Sequence, residues 1–347
     1  MKAYFFKYNL EFNTPAKTSR DILFQKPSWF IVIKNQNEIG IGECSIIPGL
    51  SIDDLKEIEN KLDLICNNIS SDKTLDMNEL RDFPAVKFAL ETAQKDLMSS
   101  GKTFKLFESD FSNYIDNIKI NGLVWMGDIN HMKLQIKEKI NNGFSCIKIK
   151  VGALQFKSEL ELIKKIRKDF KENNLEIRLD ANGAFNKTDA LEKLNRLSEF
   201  SIHSIEQPIK TKQWQEMAGL CESSPIPIAL DEELIGINFN KKNLIETINP
   251  NYLILKPSLL GGFSECEKWI KLADEKNIKW WATSALESNV GLNAIAQWVY
   301  TKNNDLRQGL GTGMLFKNNI KSQIEILGDT IFLNRNKKWD LSFFKLN

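Results

Sequence analysis

The apolar positions of this chain change their rhythm about a third of the way along. In the first stretch they alternate as strands would: Ala3 to Phe12, Ser28 to Lys34 and Glu38 to Glu43, the last two joined by the polar Asn35-Gln36-Asn37, which has hairpin character. Helical spacing follows. One helix is expected from near Ser51, an N-cap residue, with Leu55, Ile58, Leu62 and Ile65 on one face. A second follows Pro84, carries Val86, Leu90, Ala93 and Leu97, and ends near Gly101. Strands followed by helices, without alternation, predict an α+β module over residues 1–110.

From Ile118 onward strand-like and helix-like patterns take turns. A strand is expected from Ile118 to Val124, then a helix to about Asn142 that Gly143 stops. Apolar runs then recur at Cys146–Lys150, Glu176–Asp180, His203–Glu206, Ile226–Asp231, Tyr252–Lys256, Lys279–Thr283 and Leu306–Leu310. Helical spacing fills residues 156–171, 187–200, 214–221, 240–248 and 262–277. A strand with its returning helix takes roughly 25–30 residues, so this period predicts successive βα units closing into a barrel over 111–315. The tail from about Phe316 has two more strand-like pieces, Ile324–Leu327 and Thr330–Leu333, expected to pack back on the first module.

The runs end in charge. Lys148 and Lys150 come first, then Asp180, Glu206, Asp231 and Lys256, the steps from Lys150 being 30, 26, 25 and 25 residues. Functional groups in βα barrels gather at the C-terminal strand ends, so three carboxylates flanked by lysines are expected at one mouth. With no histidine or thiolate beside them, such carboxylates suit a hard divalent cation held through oxygen, Mg²⁺ first and Mn²⁺ second. The only histidines, His131 and His203, exclude a three-histidine zinc site; the first is expected on a helix surface and the second at a strand start away from the mouth. Lys148 and Lys150 are two apart and share a face. Crowding of like charges lowers a lysine pKa, and catalytic lysines are tuned toward about 7–8. Lys256 lies four units on from Lys150, across the barrel. A cation with lysines opposed over it suits removal of a proton alpha to a carboxylate, the cation stabilising the resulting enediolate.

Composition changes this picture little. The 347 residues are 42% hydrophobic and 27% charged, ordinary for a globular protein with a large core. A net charge of +2 gives no electrostatic case for nucleic acid or an anionic membrane, and pairs such as Lys164-Lys165 read as solvated helix faces. Five cysteines without a C-x-x-C pair predict reduced thiols rather than a disulfide framework or zinc site. There is no signal-peptide core and no apolar run of membrane-spanning length, so a cytoplasmic protein acting on a small-molecule carboxylate is expected. Trp29-Phe30 and Trp280-Trp281 read as packing residues.

The words Lys148-Ile149-Lys150, Asp180-Ala181-Asn182-Gly183, Ile205-Glu206-Gln207-Pro208, Asp231-Glu232 and Leu255-Lys256-Pro257 resemble those of the enolase superfamily, in its muconate-lactonising-enzyme-like group. The resemblance covers almost the whole chain. It implies an α/β protein with a (β/α)7β TIM-like barrel over 111–315 and an α+β capping domain from 1–110 completed by 316–347. It implies metal ligation by Asp180, Glu206 and Asp231 and catalysis by Lys150 and Lys256, a pairing of roles known for this superfamily. Residues Thr283 to Gln297 and Gly309 to Gly313 resemble the o-succinylbenzoate synthases of menaquinone biosynthesis, and Thr18-Ser19-Arg20 resembles their mobile capping loop. The stretch Ser284-Ala285-Leu286-Glu287 has no Asp-x-Asp pair of the kind with which dipeptide epimerases of the group hold the substrate's ammonium.

The implied reaction is syn-dehydration of 2-succinyl-6-hydroxy-2,4-cyclohexadiene-1-carboxylate to o-succinylbenzoate. Lys150 would remove the alpha proton and return it to the departing hydroxyl, Lys256 would stabilise the intermediate, and Lys148 would depress the Lys150 pKa and contact the carboxylate. Asn182, Ser284, Gly311, Thr312 and Arg20 are the expected substrate contacts, although Gly309 to Gly313 also reads as a tight turn. The rival readings are an N-acylamino acid racemase or dipeptide epimerase of the same superfamily, and a barrel serving only as a binding scaffold.

Overall fold

The computed structural model describes residues 1–17, 22–36, 38–99 and 103–344. Its first part is an antiparallel sheet of β1 (Lys2–Lys17), β2 (Ile22–Lys34) and β3 (Ile39–Ser45), in that order. β1 and β2 are longer than their alternation suggests. Pro15 falls in the irregular stretch between Glu11 and Ala16, after which the pairing with β2 resumes, so the proline interrupts the ladder without ending the strand.

Two helices cover this sheet, α1 (Ile58–Ser70) and α2 (Pro84–Leu97). The first begins seven residues beyond Ser51, not at it. The Ser51 hydroxyl accepts the Ile47 N–H at 3.0 Å, and Leu55 is exposed, so the apolar stripe starts at Ile58. Asp53 instead holds the start of α2, accepting the N–H groups of Ala85 and Val86. α2 lies so close to β3 that a Cβ at Gly40 or Gly42 would come within 1.9 Å of the carbonyl oxygen of Ala93 or Ala89. Between them Trp29, Ile31, Ile58, Leu62, Val86 and Leu90 form one buried cluster. The expected end near Gly101 lies outside the described residues.

The alternating region yields β4 (Ile118–Lys119), β5 (Gly122–Val124), α3 (Ile129–Asn141), β6 (Cys146–Lys150), α4 (Phe156–Asp169), β7 (Glu176–Asp180), α5 (Ala190–Ser198), β8 (Ser204–Glu206), α6 (Trp214–Ser223), β9 (Ile228–Leu230), α7 (Lys241–Ile248), β10 (Tyr252–Leu255), α8 (Pro257–Leu260), α9 (Gly262–Glu275), β11 (Lys279–Ala282) and α10 (Asn289–Tyr300). β5 to β11 make one curled parallel sheet in sequence order, and the helices' apolar faces join its residues in the largest buried cluster.

Two expected strands differ. The one expected over Ile118 to Val124 is divided, because the chain changes partners within it: the Ile120 N–H donates to the Asp329 carbonyl, the Asn121 N–H to the Gln308 carbonyl. The eighth, over Leu306 to Leu310, is reduced to single parallel bridges, Gln308 to Ile120 and Gly309 to Thr283. Gly309 and Gly311 weaken it as a strand, and Gly309 is needed there: a Cβ would meet the Thr283 side chain at 2.3 Å.

The tail divides as well. β12 (Ile324–Leu327) and β13 (Thr330–Leu333) form a hairpin whose second strand pairs with β4 rather than with the first sheet. Other parts of the tail do pack on the first sheet: Phe316 is bridged to Phe12, Asn318 hydrogen-bonds to β1, and the rings of Phe343 and Phe344 lie against Phe6 and Phe30. Trp29 and Trp281 are fully buried, His131 is exposed on α3, and all five cysteines are unpaired. Among the described residues no helix is long and apolar enough to cross a membrane.

Candidate active site

Parallel register is what assembles the site. β6, β7 and β8 pair so that Lys150 stands beside Asp180 and Asp180 beside Glu206; β9 and β10 continue the row to Asp231 and Lys256, each one residue past its strand. Asp180, Glu206 and Asp231 are all buried, with one carboxylate oxygen of each within 4.8 Å of the others. Gln207 secures the row from outside: its amide oxygen accepts the N–H groups of Asp231 and Glu233, and its amide nitrogen donates to the Glu233 carboxylate.

Three ammonium groups close on this acidic trio. Lys148 Nζ lies 2.8 Å from Glu206 and 3.2 Å from Asp180. Lys150 Nζ lies 2.7 Å from Asp180 and donates to Asn182 Oδ1 at 2.6 Å. Lys256 Nζ lies 2.5 Å from Asp231. Burial works to lower the Lys148 pKa, but the carboxylates of Glu206, Asp180 and Asp231 outweigh it and hold the ammonium well above its ordinary value. Lys256 is raised in the same way, burial being outweighed by Asp231 and Glu232. The lowering expected from ammonium crowding therefore does not appear at Lys148, which faces more carboxylate than ammonium. Burial works to raise Asp180, yet Lys150 and Lys148 hold it below the usual carboxylate range. Glu206 goes the other way: burial, with Asp180 and Asp231 nearby, raises it despite Lys148.

The trio fits a divalent cation. Its donors are all carboxylate oxygens, the set a hard cation prefers. Glu206 Oε1 is buried with no hydrogen-bond partner, and a buried carboxylate oxygen left so is costly unless something positive occupies the space beside it.

Beside the acids opens a cavity lined by both ends of the architecture. Lys148, Lys150 and Lys256 face it, as do Asn182 and Glu232. Ile47 and Leu50, just past β3, and Trp125 and Leu286 give it an apolar wall. Ser284, Gly311 and Thr312 also line it; the Thr312 hydroxyl is buried and has no partner. The Ser284 hydroxyl donates to Glu287 at 2.5 Å and accepts the Leu286 N–H at 3.1 Å. Arg20 lies outside the described residues.

Sequence reading passed over Glu232, although the doublet Asp231-Glu232 contained it. It also passed over the apolar wall, for which no local signal exists: Ile47 and Leu50 follow β3, Trp125 follows β5 and Leu286 follows β11, and only the tertiary fold brings these three loops together.

Known proteins bear on this geometry. Residues 131–326 match the family model described as enolase C-terminal domain-like, and residues 1–97 match the MenC N-terminal domain. An o-succinylbenzoate synthase of Desulfotalea psychrophila is 44% identical, over 92% of this chain and 95% of that protein. The crystal structure of MenC from D. psychrophila LSv54 superposes with a TM-score of 0.86 at 40% identity, covering 96% of this chain and 99% of that one. A dipeptide epimerase of Cytophaga hutchinsonii, solved with Mg and the dipeptide D-Ala-L-Val, superposes with a TM-score of 0.84 over 99% of this chain and 96% of its own. At 20% identity that likeness concerns the fold alone.

Proposed function

This chain belongs to the enolase superfamily, among the o-succinylbenzoate synthases of its muconate-lactonising-enzyme-like group, and from that membership we propose how its residues divide the work. The reaction is that of a hydro-lyase, loss of water from 2-succinyl-6-hydroxy-2,4-cyclohexadiene-1-carboxylate to give o-succinylbenzoate. The observation that carries this reading is the 44% identity to a synthase along nearly the whole of both chains. The lysine-flanked acidic trio supports it with a mechanism.

Asp180, Glu206 and Asp231 hold Mg²⁺, with Mn²⁺ able to take its place. When bound, the cation supplies positive charge against the enediolate that proton removal creates. Lys150 removes the proton alpha to the ring carboxylate and then delivers it to the departing hydroxyl, which leaves as water. Lys148, held charged by its carboxylates, contacts the substrate carboxylate. Lys256 keeps its positive charge opposite Lys150 and stabilises the intermediate, over the ring's π face. The ring becomes aromatic, so the step is downhill and the protein has chiefly to position one base and one cation.

Asn182, Ser284, Gly311 and Thr312 surround the remainder of the substrate, and Arg20 is assigned to it by the resemblance alone. The curled sheet is taken as a (β/α)7β barrel over 111–315, closed through the bridges at Gln308 and Gly309, under a capping domain of 1–110 and 316–347. Five unpaired thiols are in keeping with a reducing, cytoplasmic setting. An ultraviolet assay of the purified protein with the cyclohexadiene substrate tests the reading: turnover that EDTA abolishes and Mg²⁺ restores is expected, and no turnover with metal present would overturn it.

A further inference from the structure

Asn182 Oδ1 faces Lys150 Nζ at 2.6 Å, while Asn182 Nδ2 donates to Glu232 Oε1 at 2.8 Å. An amide has one accepting end and one donating end, and which end meets the base matters. A lysine ammonium only donates, so it needs the carbonyl end. A carboxylate only accepts, so Glu232 takes the NH₂ end and leaves the carbonyl nowhere to point but at Lys150. Glu232 is 7% exposed, on the short turn that follows Asp231, and lines the same cavity as Asn182 and Lys150.

We propose that Glu232 is a positioning residue for the catalytic base: by accepting from the Asn182 amide it fixes the face that Asn182 turns to Lys150, and so the place from which Lys150 reaches the substrate's alpha carbon. The backbone makes the arrangement specific. Asn182 sits at φ 44°, a left-handed conformation that asparagine tolerates better than most side chains, and its N–H is tied to Asp180 Oδ1 at 3.1 Å. With the backbone fixed on one side and the carboxylate on the other, the amide has a single orientation that satisfies all of its partners. A lysine has four rotatable bonds, and an ammonium held by Asp180 alone could swing about that oxygen. The second contact, at Asn182, removes that freedom. This inference rests on the role given above to Lys150.

The test compares two substitutions that differ only in whether an acceptor remains. E232M keeps the length of the side chain and deletes the acceptor. E232Q keeps an acceptor and deletes the charge. Turnover of the cyclohexadiene substrate is measured with saturating Mg²⁺, with the primary isotope effect on kcat from substrate deuterated at the alpha carbon. Folding is checked by circular dichroism and by o-succinylbenzoate binding. E232M is expected to lose about ten- to a hundred-fold in kcat, the scale of a slightly misplaced reacting group, with KM changed less than about threefold. The isotope effect rises as proton removal becomes slower. E232Q recovers most of that loss. N182A is expected to be as slow as the N182A/E232M double variant, because Glu232 acts through Asn182. Equal losses in E232M and E232Q would show that charge matters rather than the acceptor, and would overturn the proposal. So would wild-type turnover in E232M, or additive losses in the double variant. If the wild-type protein itself does not turn over the substrate, the functional reading fails instead, and the two failures are thereby told apart.

Discussion

The hydroxyl of Ser284 lies 2.5 Å from a carboxylate oxygen of Glu287, a fully buried acid whose other oxygen is met by the Ser258 hydroxyl. Ser258 lies in α8, two residues beyond Lys256, so Glu287 ties the short helix after β10 to the loop after β11. Burial raises the Glu287 pKa, opposed by the two serines. The proton of Ser284 is thus engaged inside the wall of the cavity and not offered to a ligand.

Replacing Ser284 with alanine is therefore expected to act on stability more than on binding. Glu287 would lose one of its donors, at a cost of about 1–3 kcal/mol in a urea melt, while KM for the cyclohexadiene stays within about threefold. A tenfold rise in KM without loss of stability would mean that Ser284 gives its proton to the substrate after all.

Lys150→Ala is expected to lose at least the roughly 10²–10⁴-fold that a positioned base contributes, with o-succinylbenzoate still bound in equilibrium dialysis. Near wild-type turnover would remove Lys150 from the role of base.

Metal binding should depend on pH with a definite sign. Glu206 is pushed up to about 7 in the metal-free protein, chiefly by burial, so near and below that pH it carries a proton that a cation must displace. Affinity for Mg²⁺ is expected to weaken up to about tenfold per pH unit below 7 and to level off above it, as read by calorimetry in buffers of differing ionisation enthalpy. Binding that is flat from pH 6 to 8 and releases no proton would contradict it.

How much of this was written in the chain can be traced residue by residue. The spacing of Lys150, Asp180, Glu206, Asp231 and Lys256 was legible because in-register parallel strands turn an even sequence interval into neighbouring side chains. Ser51 misled because a serine hydroxyl can cap a turn as readily as a helix; here it took the Ile47 N–H, and nothing local distinguishes the two uses. The division of Ile118 to Val124 between two sheets depends on Asp329 and Gln308, far along the chain. The direction of an amide or hydroxyl, as at Asn182 and Ser284, belongs to the neighbours it meets and has no sequence pattern at all.

Asp53 gives a prediction about stability alone. Its Oδ1 accepts both N–H groups at the start of α2, whereas its Oδ2 is buried with no partner. Burial pushes its pKa up to about 7, and the bonds from Ala85 and Val86 only partly oppose this. The folded state thus holds this proton more tightly than the unfolded chain, where an aspartate titrates near 3.9. The sign follows from linkage: the contribution is complete below about pH 4, is lost as pH rises from 4 to 7, and is constant above. Asn at this position keeps the accepting oxygen on both N–H groups and puts a neutral NH₂ where Oδ2 has no partner. D53N should remove that slope, so urea midpoints at pH 4.5 and 7.5 lie closer together in the variant than in the wild type. At the higher pH D53N is expected to be the more stable, by an amount on the order of a few kcal/mol at most. An unchanged slope, or a variant less stable at pH 7.5, would show that the Asp53 carboxylate is ionised in the folded protein at neutral pH without penalty.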